Sequence, residues 1–348
     1  MPTAFDRLRT IASQARPATS ARERRIMAAT GLAVAHQPCP DPEVAALRLE
    51  LSRLTQPLDI PGLVEFFNTA FCMKQRSSRG HRLYRVPIEL LLAPVEAAAR
   101  ENAGIAAIIA GYRSAWLTDP GSCALAAVYA MAENAAIAAG LAKRELGAPG
   151  PRTMMDAYFR AREALDATAE AGQKHWLWCR ANLSLSFIRC RLRAGDAANL
   201  PHAFERVQCL DPFEFGIYEE RAEQLSPLWL GSGKALAGFS DSAVLATAAE
   251  FGTTLYARIY TTALTHSTVR ELDPDLNAIR QGFVDWLDRF PSQPLANRAA
   301  SVAVSIGDDW LLRELFRNHI HTIHLDEWIG EDQVRRGWEM ASRGRRRK

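Results

Sequence analysis

The sequence predicts an all-α protein built from antiparallel helix pairs, and three observations lead to this fold class. Alanine is frequent, β-branched residues are sparse, and no stretch alternates apolar and polar residues as a half-buried strand does. Apolar residues instead recur every three to four positions. Short Gly-Asp turns join successive helical patterns. The 348 residues allow about two domains or one long array of helices.

The composition indicates a soluble protein of the reducing cytoplasm. A net charge of +3 is nearly balanced and does not demand a polyanionic partner. The apolar runs at 104–111 and 124–132 are too short to cross a bilayer, so no membrane partner is expected. No CxxC pair or regular spacing joins the six cysteines, as is typical of reduced thiols. They are Cys39, Cys72, Cys123, Cys179, Cys190 and Cys209.

The first half of the chain is predicted to contain a basic, poorly ordered lead-in at 1–20 and an N-terminal helical region at 21–147. Within this region we expect helices at about 21–35, 42–54, 60–73, 87–117 and 123–146. Pro42 suits a first helical turn, with Asp41 as its cap. The helices at 87–117 and 123–146 are apolar almost all round, which predicts that both are buried between neighbours.

A basic segment, KQRSSRGHRLYR at 74–85, interrupts the helices without a single acidic residue. Charge runs usually form solvated surfaces, and we favour a solvated loop here. The alternative is a site that contacts a polyanion. The cations of that alternative site are Lys74, Arg76, Arg79, Arg82 and Arg85.

The second half is predicted to form a separate helical domain at 151–341, followed by a basic tail at 342–348. Its boundary is the run GAPGP at 147–151, because glycine and proline together cannot continue a helix. The stretches 181–212 and 296–318 share an outline in which two helices flank a Gly-Asp pair. The pairs are Gly195-Asp196 and Gly307-Asp308. Helices joined this closely pack antiparallel and need further pairs beside them.

The segments AFERVQCLDP at 203–212 and YFRAREAL at 158–165 resemble second helices of tetratricopeptide (TPR) repeats. In addition, LWLGS at 228–232 and YARIY at 256–260 are similar to a turn and the following helix in the bacterial helical family called domain of unknown function 4034. This resemblance covers about 158–338. It implies a TPR-like, α-solenoid array in the second half and no established activity.

The stretch from Ser226 to Tyr260 has the pattern of a helical hairpin. Gly231 breaks the chain, Ser232 is placed to cap a helix, and Gly252 ends that helix. We expect Trp229 to pack at the turn and two tyrosines to pack in the next helix. The residues of this structural turn, or alternatively of a partner surface, are Trp229, Gly231, Ser232, Tyr256 and Tyr260.

Histidines and acids are concentrated in NHIHTIHLDEW at 318–328, which raises the question of a metal site. On a helix only His321 and His324 share a face, whereas His319 points elsewhere. The spacing lacks the HExxH arrangement of zinc peptidases. We therefore expect neither a metal nor another cofactor, and His319, His321 and His324 stay weak candidates.

The absence of a nucleophile or phosphate-loop motif favours a non-enzymatic protein. The leading hypothesis is a helical-repeat protein that binds another protein, either as an interaction module or as a scaffold. The alternative is an accessory protein for nucleic acid that uses the 74–85 segment and the tail. A metal-dependent enzyme at 319–327 is the third hypothesis.

Overall fold

A computed structural model of the chain describes residues 20–35, 40–101, 104–145, 151–192, 198–227 and 231–343. Helices account for 77% of these residues, which confirms the all-α class. The predicted lead-in at 1–20, apart from Ser20, lies outside the described residues, as does the tail from 344 onward. Trp229 and the Gly195-Asp196 pair also lie outside them.

The described residues form eighteen α-helices, two short strands and two 3-10 turns, at Ser52–Leu54 and Leu325–Glu327. The elements of the first half are α1 (Ala21–Thr30), β1 (Ala33–Ala35), α2 (Pro42–Leu51), α3 (Ile60–Met73), α4 (Arg85–Glu101), α5 (Ile105–Thr118), α6 (Cys123–Glu145) and α7 (Pro151–Ala167). The remaining elements are α8 (Ala169–Gly172), α9 (Trp176–Leu192), α10 (Leu200–Leu210), α11 (Phe215–Gln224), α12 (Gly233–Phe251), α13 (Thr254–Ala263), α14 (Val269–Leu272), α15 (Leu276–Arg289), α16 (Gln293–Ile306), α17 (Asp309–Asn318), β2 (Thr322–His324) and α18 (Glu331–Ser342).

The chain divides into two compact units. The larger unit is Pro40–Gly282, and the smaller unit combines Met1–Cys39 with Phe283–Lys348. The division falls inside α15. The two helices on either side of the predicted boundary at 147–151 pack against each other within the larger unit. Separate folding of 21–147 and 151–341 stays a prediction.

Several helices begin where local signals predict. The Asp41 side chain accepts hydrogen bonds from two backbone N–H groups in the first turn of α2, and Pro42 follows it. In the smaller unit, Gly307 closes α16 with a φ of +75°. Asp308 then caps α17 through a 2.9 Å bond from the Leu311 N–H. The second Gly-Asp pair therefore works as predicted.

The single helix expected at 87–117 is two helices, α4 and α5. Gly104, with a φ of +69°, begins α5 in a conformation that a continuous helix cannot contain. The prediction that α5 is buried is also wrong. Of its described side chains, only Tyr112 and Trp116 are buried, and Leu117 is 53% exposed. An apolar sequence does not show whether neighbouring helices cover every face.

The prediction of burial is confirmed for α6, the central helix of the larger unit. It packs against α4, α5, α7 and α9, and every residue from 124 to 134 is buried. Its stretch Cys123–Leu141 is the one described segment long and apolar enough to cross a membrane, but 72% of it is buried inside the protein. The buried Glu133 carboxylate is paired with Arg160 at 2.6 Å and accepts a bond from Tyr129.

The smaller unit contains a parallel strand pair that the sequence did not predict. β1 pairs with β2, with Val34 opposite Ile323 and Ala35 opposite His324. Each strand has three residues, which is too short for alternation to be recognised in a sequence. Val34 and Ile323 are register partners, so the pairing connects segments that lie almost 290 residues apart in the sequence.

A buried carboxamide holds β2 against α16. The Asn297 amide group donates to the carbonyls of Gln293 and Thr322, at 2.9 Å each. Its oxygen accepts from the His324 N–H at 3.1 Å and from the Trp328 indole N–H at 2.8 Å. Asn297 is fully buried, so all of its hydrogen-bonding capacity is used inside the unit.

Replacing Asn297 with alanine should lower the free energy of unfolding by roughly 3 kcal/mol, because several buried polar groups lose their partner at once. Urea denaturation followed by circular dichroism measures this loss. Asn318→Ala is the matched control, since Asn318 is exposed and its side chain donates to Glu314 one turn earlier on the same helix. Equal stability of the two variants would contradict this role of Asn297.

Candidate functional site

The basic segment at 74–85 packs against the core of the larger unit, and some of its side chains are buried there. Arg82 is only 8% exposed, and its guanidinium lies 2.7 Å from the Asp211 carboxylate. The Tyr84 hydroxyl donates to the other Asp211 oxygen at 2.9 Å. Asp211 itself is fully buried. The interpretation of this segment as a solvated loop is therefore wrong, because its cations neutralise buried carboxylates that come from elsewhere in the chain.

A second ion pair joins Arg85 to Glu214 at 3.0 Å. The Glu214 carboxylate also accepts from the N–H groups of Gly216 and Ile217, and so caps α11. Burial by itself raises the pKa of Glu214, but the Arg85 charge and these N–H groups bring the pKa below its ordinary value. Glu214 in turn raises the pKa of Arg85.

The other cations of the segment also contact this unit. The Arg76 guanidinium lies over the rings of Phe215 and Phe251, 4.4 and 5.0 Å from their centroids. Burial, followed by repulsion from Arg82, lowers the pKa of Arg76 to about 10. Lys74 donates to the Leu210 carbonyl at 2.6 Å.

Arg79 is half-buried and also interacts within the structure. The basic segment as a whole therefore has a structural role in the larger unit. Contact of these five residues with a polyanion stays a prediction.

Asp41, Ser77 and His81 are the residue types of a hydrolytic triad, but they are connected in another order. In a triad the histidine lies between the hydroxyl and the carboxylate. Here Ser77 Oγ lies 2.5 Å and His81 Nδ1 2.8 Å from the same Asp41 oxygen. Burial alone raises the pKa of Asp41, but the bonds from Ser77 and His81 lower it overall. This arrangement holds a turn and does not activate the serine.

The hairpin at Ser226–Tyr260 is formed largely as predicted within the described residues. Ser232 Oγ accepts from the Ala235 N–H at 3.2 Å and caps α12. A side chain on Gly231 would lie 2.0 Å from the Leu225 carbonyl, which explains the glycine. Tyr256 and Tyr260 are buried on α13 with ring centroids 4.7 Å apart. Their burial favours the structural interpretation of this hairpin over the partner surface.

The three histidines do not share a helix face, because α17 ends at Asn318, before the first of them. His319 follows the end of α17, His321 is exposed, and His324 lies buried in β2. The described residues contain no group of three or more His, Cys, Asp or Glu side chains placed to hold a metal ion.

A groove on the larger unit is the best candidate for a binding site. It runs between α7, α9 and α10 and consists of a part of about 300 Å³ and a part of about 400 Å³. Both parts are lined by Tyr158, Arg162, Arg189 and Asn199, so they form one groove. The buried side chains at its floor are Tyr158, Trp178, Leu185 and Ala203.

One part of the groove is basic and polar. Arg206 is exposed at its edge on α10, and Arg189 is half-buried on α9. Arg162 forms an ion pair with Asp166 and donates to the Asn182 carboxamide oxygen at 3.3 Å. The residues that line the two parts, all of them described, include no aspartate or glutamate. This part is suited to a ligand that carries negative charge.

The other part of the groove shares two arginines and Asn199 with the first and adds apolar side chains. Met155 and Phe159 project one helical turn apart on α7, and Leu192 faces them from the end of α9. Phe159 is 55% exposed, and its ring packs edge-on against Tyr158 with the centroids 5.5 Å apart. An exposed aromatic ring beside an open apolar cavity provides a place for an apolar side chain of a partner.

This groove was not predicted from the sequence. Its residues come from three helices, and two of these helices contain the TPR-like segments at 158–165 and 203–212. That resemblance concerned the fold and did not indicate a binding site. The one local signal was the spacing of Asn182, Ser186 and Arg189, which puts three polar residues on one face of a largely apolar helix.

No protein-family model, curated protein or solved structure matches the chain. The resemblance to the domain-of-unknown-function family at 158–338 therefore stays a prediction. The class that the fold defines is an all-α protein of packed helices.

Replacing Arg82 with methionine should lower the free energy of unfolding by about 3 kcal/mol, because Asp211 would keep a buried charge without its partner. Guanidinium titration of the purified variant measures the change. Arg113→Met is the control: Arg113 is exposed on α5, and its replacement should change stability by less than about 0.5 kcal/mol. A loss below about 1 kcal/mol for Arg82→Met would show that the pair is not needed.

The Glu214 carboxylate should stabilise the fold at neutral pH and lose this effect in acid. The pKa of Glu214 is lower in the folded protein than its ordinary value of 4.5. The stability that this carboxylate contributes is therefore complete above pH 5 and declines as the pH falls through the folded-state pKa. Glu214→Gln should cost about 2 kcal/mol at pH 7.

The stability difference between wild type and this variant should shrink between pH 5 and pH 3 in urea titrations. Glu65→Gln, at an exposed position on α3, serves as the control. A difference that is constant with pH would contradict the assignment.

Proposed function

We propose that this chain is a non-catalytic helical-repeat protein that binds another protein in the groove between α7, α9 and α10. The observation that carries the proposal is the groove itself, because it combines a cationic part with an apolar part beside an exposed phenylalanine. Protein partners are bound mainly through apolar anchors surrounded by polar contacts.

The helix arrangement supports a TPR-like interpretation of this region. α9 packs against α7 and α10, and α6 packs against α7 and α9. Helices that pack in such pairs expose long grooves between neighbours. The proposal uses fold analogy only for this architecture, since a fold alone does not define a function.

Site-specific photo-crosslinking tests the proposal. A photoreactive residue in place of Ser186, which lines the groove, should capture a discrete partner in cells that express the protein natively. The same residue in place of Ala246, exposed on α12 outside the groove lining, is the control and should capture none. Capture should disappear when Arg206 is also changed to glutamate. Equal capture from both positions, or none from Ser186, would contradict binding in the groove.

A further inference from the structure

We infer that the segment bound in this groove is an extended acidic stretch of the partner protein with one apolar residue close to its carboxylates. The inference rests on the proposed function and specifies the chemistry of its partner. Three features of the groove support it, and each concerns a different part of the bound segment.

Charge is the first feature. Arg162, Arg189 and Arg206 surround the polar part, and none of the lining residues is acidic. The N-terminus of α10 adds to this field: Asn199, which precedes the helix, lines the groove, and its side chain makes no capping hydrogen bond. The positive end of the helix dipole favours an anion. Carboxylates of the partner would therefore be bound in this part.

The length of the groove is the second feature. Trp178, near the start of α9, lines the polar part of the groove, and Leu192, at the end of the same helix, lines the apolar part with Met155. The groove thus follows α9 from Trp178 to Leu192, about 21 Å at 1.5 Å per residue. An extended chain of about six residues spans this distance at 3.3 Å per residue.

Carboxamides along this path suit a peptide backbone. Gln173, Asn182 and Asn199 line the groove. Each carries a donor and an acceptor, as a peptide group does.

The order of the two parts is the third feature. On α7, Phe159 in the apolar part precedes Arg162 by three residues, which is about 5 Å along the helix. On α9, Leu192 follows Arg189 by the same interval. The apolar residue of the bound segment should therefore be one to three positions from its acidic residues.

The aromatic residues favour a peptide over a single-stranded nucleic acid. Proteins that bind single strands stack successive bases on exposed aromatic rings. Tyr158 and Trp178 are 8% and 4% exposed, so Phe159 is the one phenylalanine, tyrosine or tryptophan ring in the groove lining that a base could cover. The exposed His202 imidazole lines the other part of the groove, so the two rings do not form a row for successive bases.

A random dodecapeptide library displayed on phage, selected against the immobilised full chain, tests the inference. Selected peptides should be enriched in aspartate and glutamate with an apolar residue within three positions. Their affinity, measured by fluorescence anisotropy, should fall at least tenfold between 50 and 500 mM NaCl because charge pairing at an exposed groove is screened.

Charge reversal provides the matched variants. Arg189→Glu/Arg206→Glu should weaken binding of the selected peptides at least tenfold, whereas Arg53→Glu/Arg113→Glu, at exposed positions outside the groove, should not. Thermal unfolding checks that each variant is folded, and Arg206→Glu alone repeats the test if the double variant is unstable. Arg206→Lys should retain most of the binding.

Several results would overturn the inference. These are no enrichment, enrichment of basic or uncharged peptides, equal binding to the Arg189→Glu/Arg206→Glu variant, and tighter binding of a labelled twelve-nucleotide uridine strand than of the selected peptides. If crosslinking at Ser186 captures a partner while the peptide selection fails, protein binding stands and only the acidic chemistry is wrong. If crosslinking fails, the proposed function itself is wrong.

Discussion

A buried ion pair joins two segments of the larger unit that are 129 residues apart in the chain: Arg82, just before α4, and Asp211, at the end of α10. Burying either charge alone would be costly, so each segment is stable in its position only when the other is present. Tyr84 adds a hydrogen bond to the same carboxylate, and its ring packs edge-on against Trp176 of α9 with centroids 5.2 Å apart. Tyr84 therefore links the buried ion pair to the aromatic core of the larger unit.

Two groups of described arginines in the larger unit differ in what surrounds them. The guanidinium groups of Arg82 and Arg85 in the basic segment form ion pairs with buried carboxylates of the larger unit and contribute to its stability. The arginines of the groove, Arg189 and Arg206, lie along a surface channel whose lining has no acid. Arg85 also lines a cavity, but the carboxylates of Glu89, Glu96 and Glu220 line that cavity too, whereas the residues that line the groove include no acid. The dense run of basic residues therefore did not point to the candidate groove, which single arginines on separate helices line.

Much of the fold was predictable because it depends on local chemistry. Asp41 and Ser232 cap helices with their own side chains, and Gly307 closes one by adopting a positive φ. Each effect involves residues within about four positions of each other, so a sequence pattern contains it completely. The candidate groove was not predictable in this way. Its lining depends on which faces of α7, α9 and α10 remain uncovered after packing, and no local pattern encodes that.

The sequence by itself determined that the chain is helical and where several helices begin and end, since propensity, capping and periodicity act over a few residues. Only the tertiary structure decided which charges are neutralised and which faces are exposed. It buried Arg82 against Asp211, left α5 largely uncovered, and paired Val34 with Ile323 across most of the chain. These outcomes depend on contacts between distant residues, whose free energies are realised only when the whole unit is assembled.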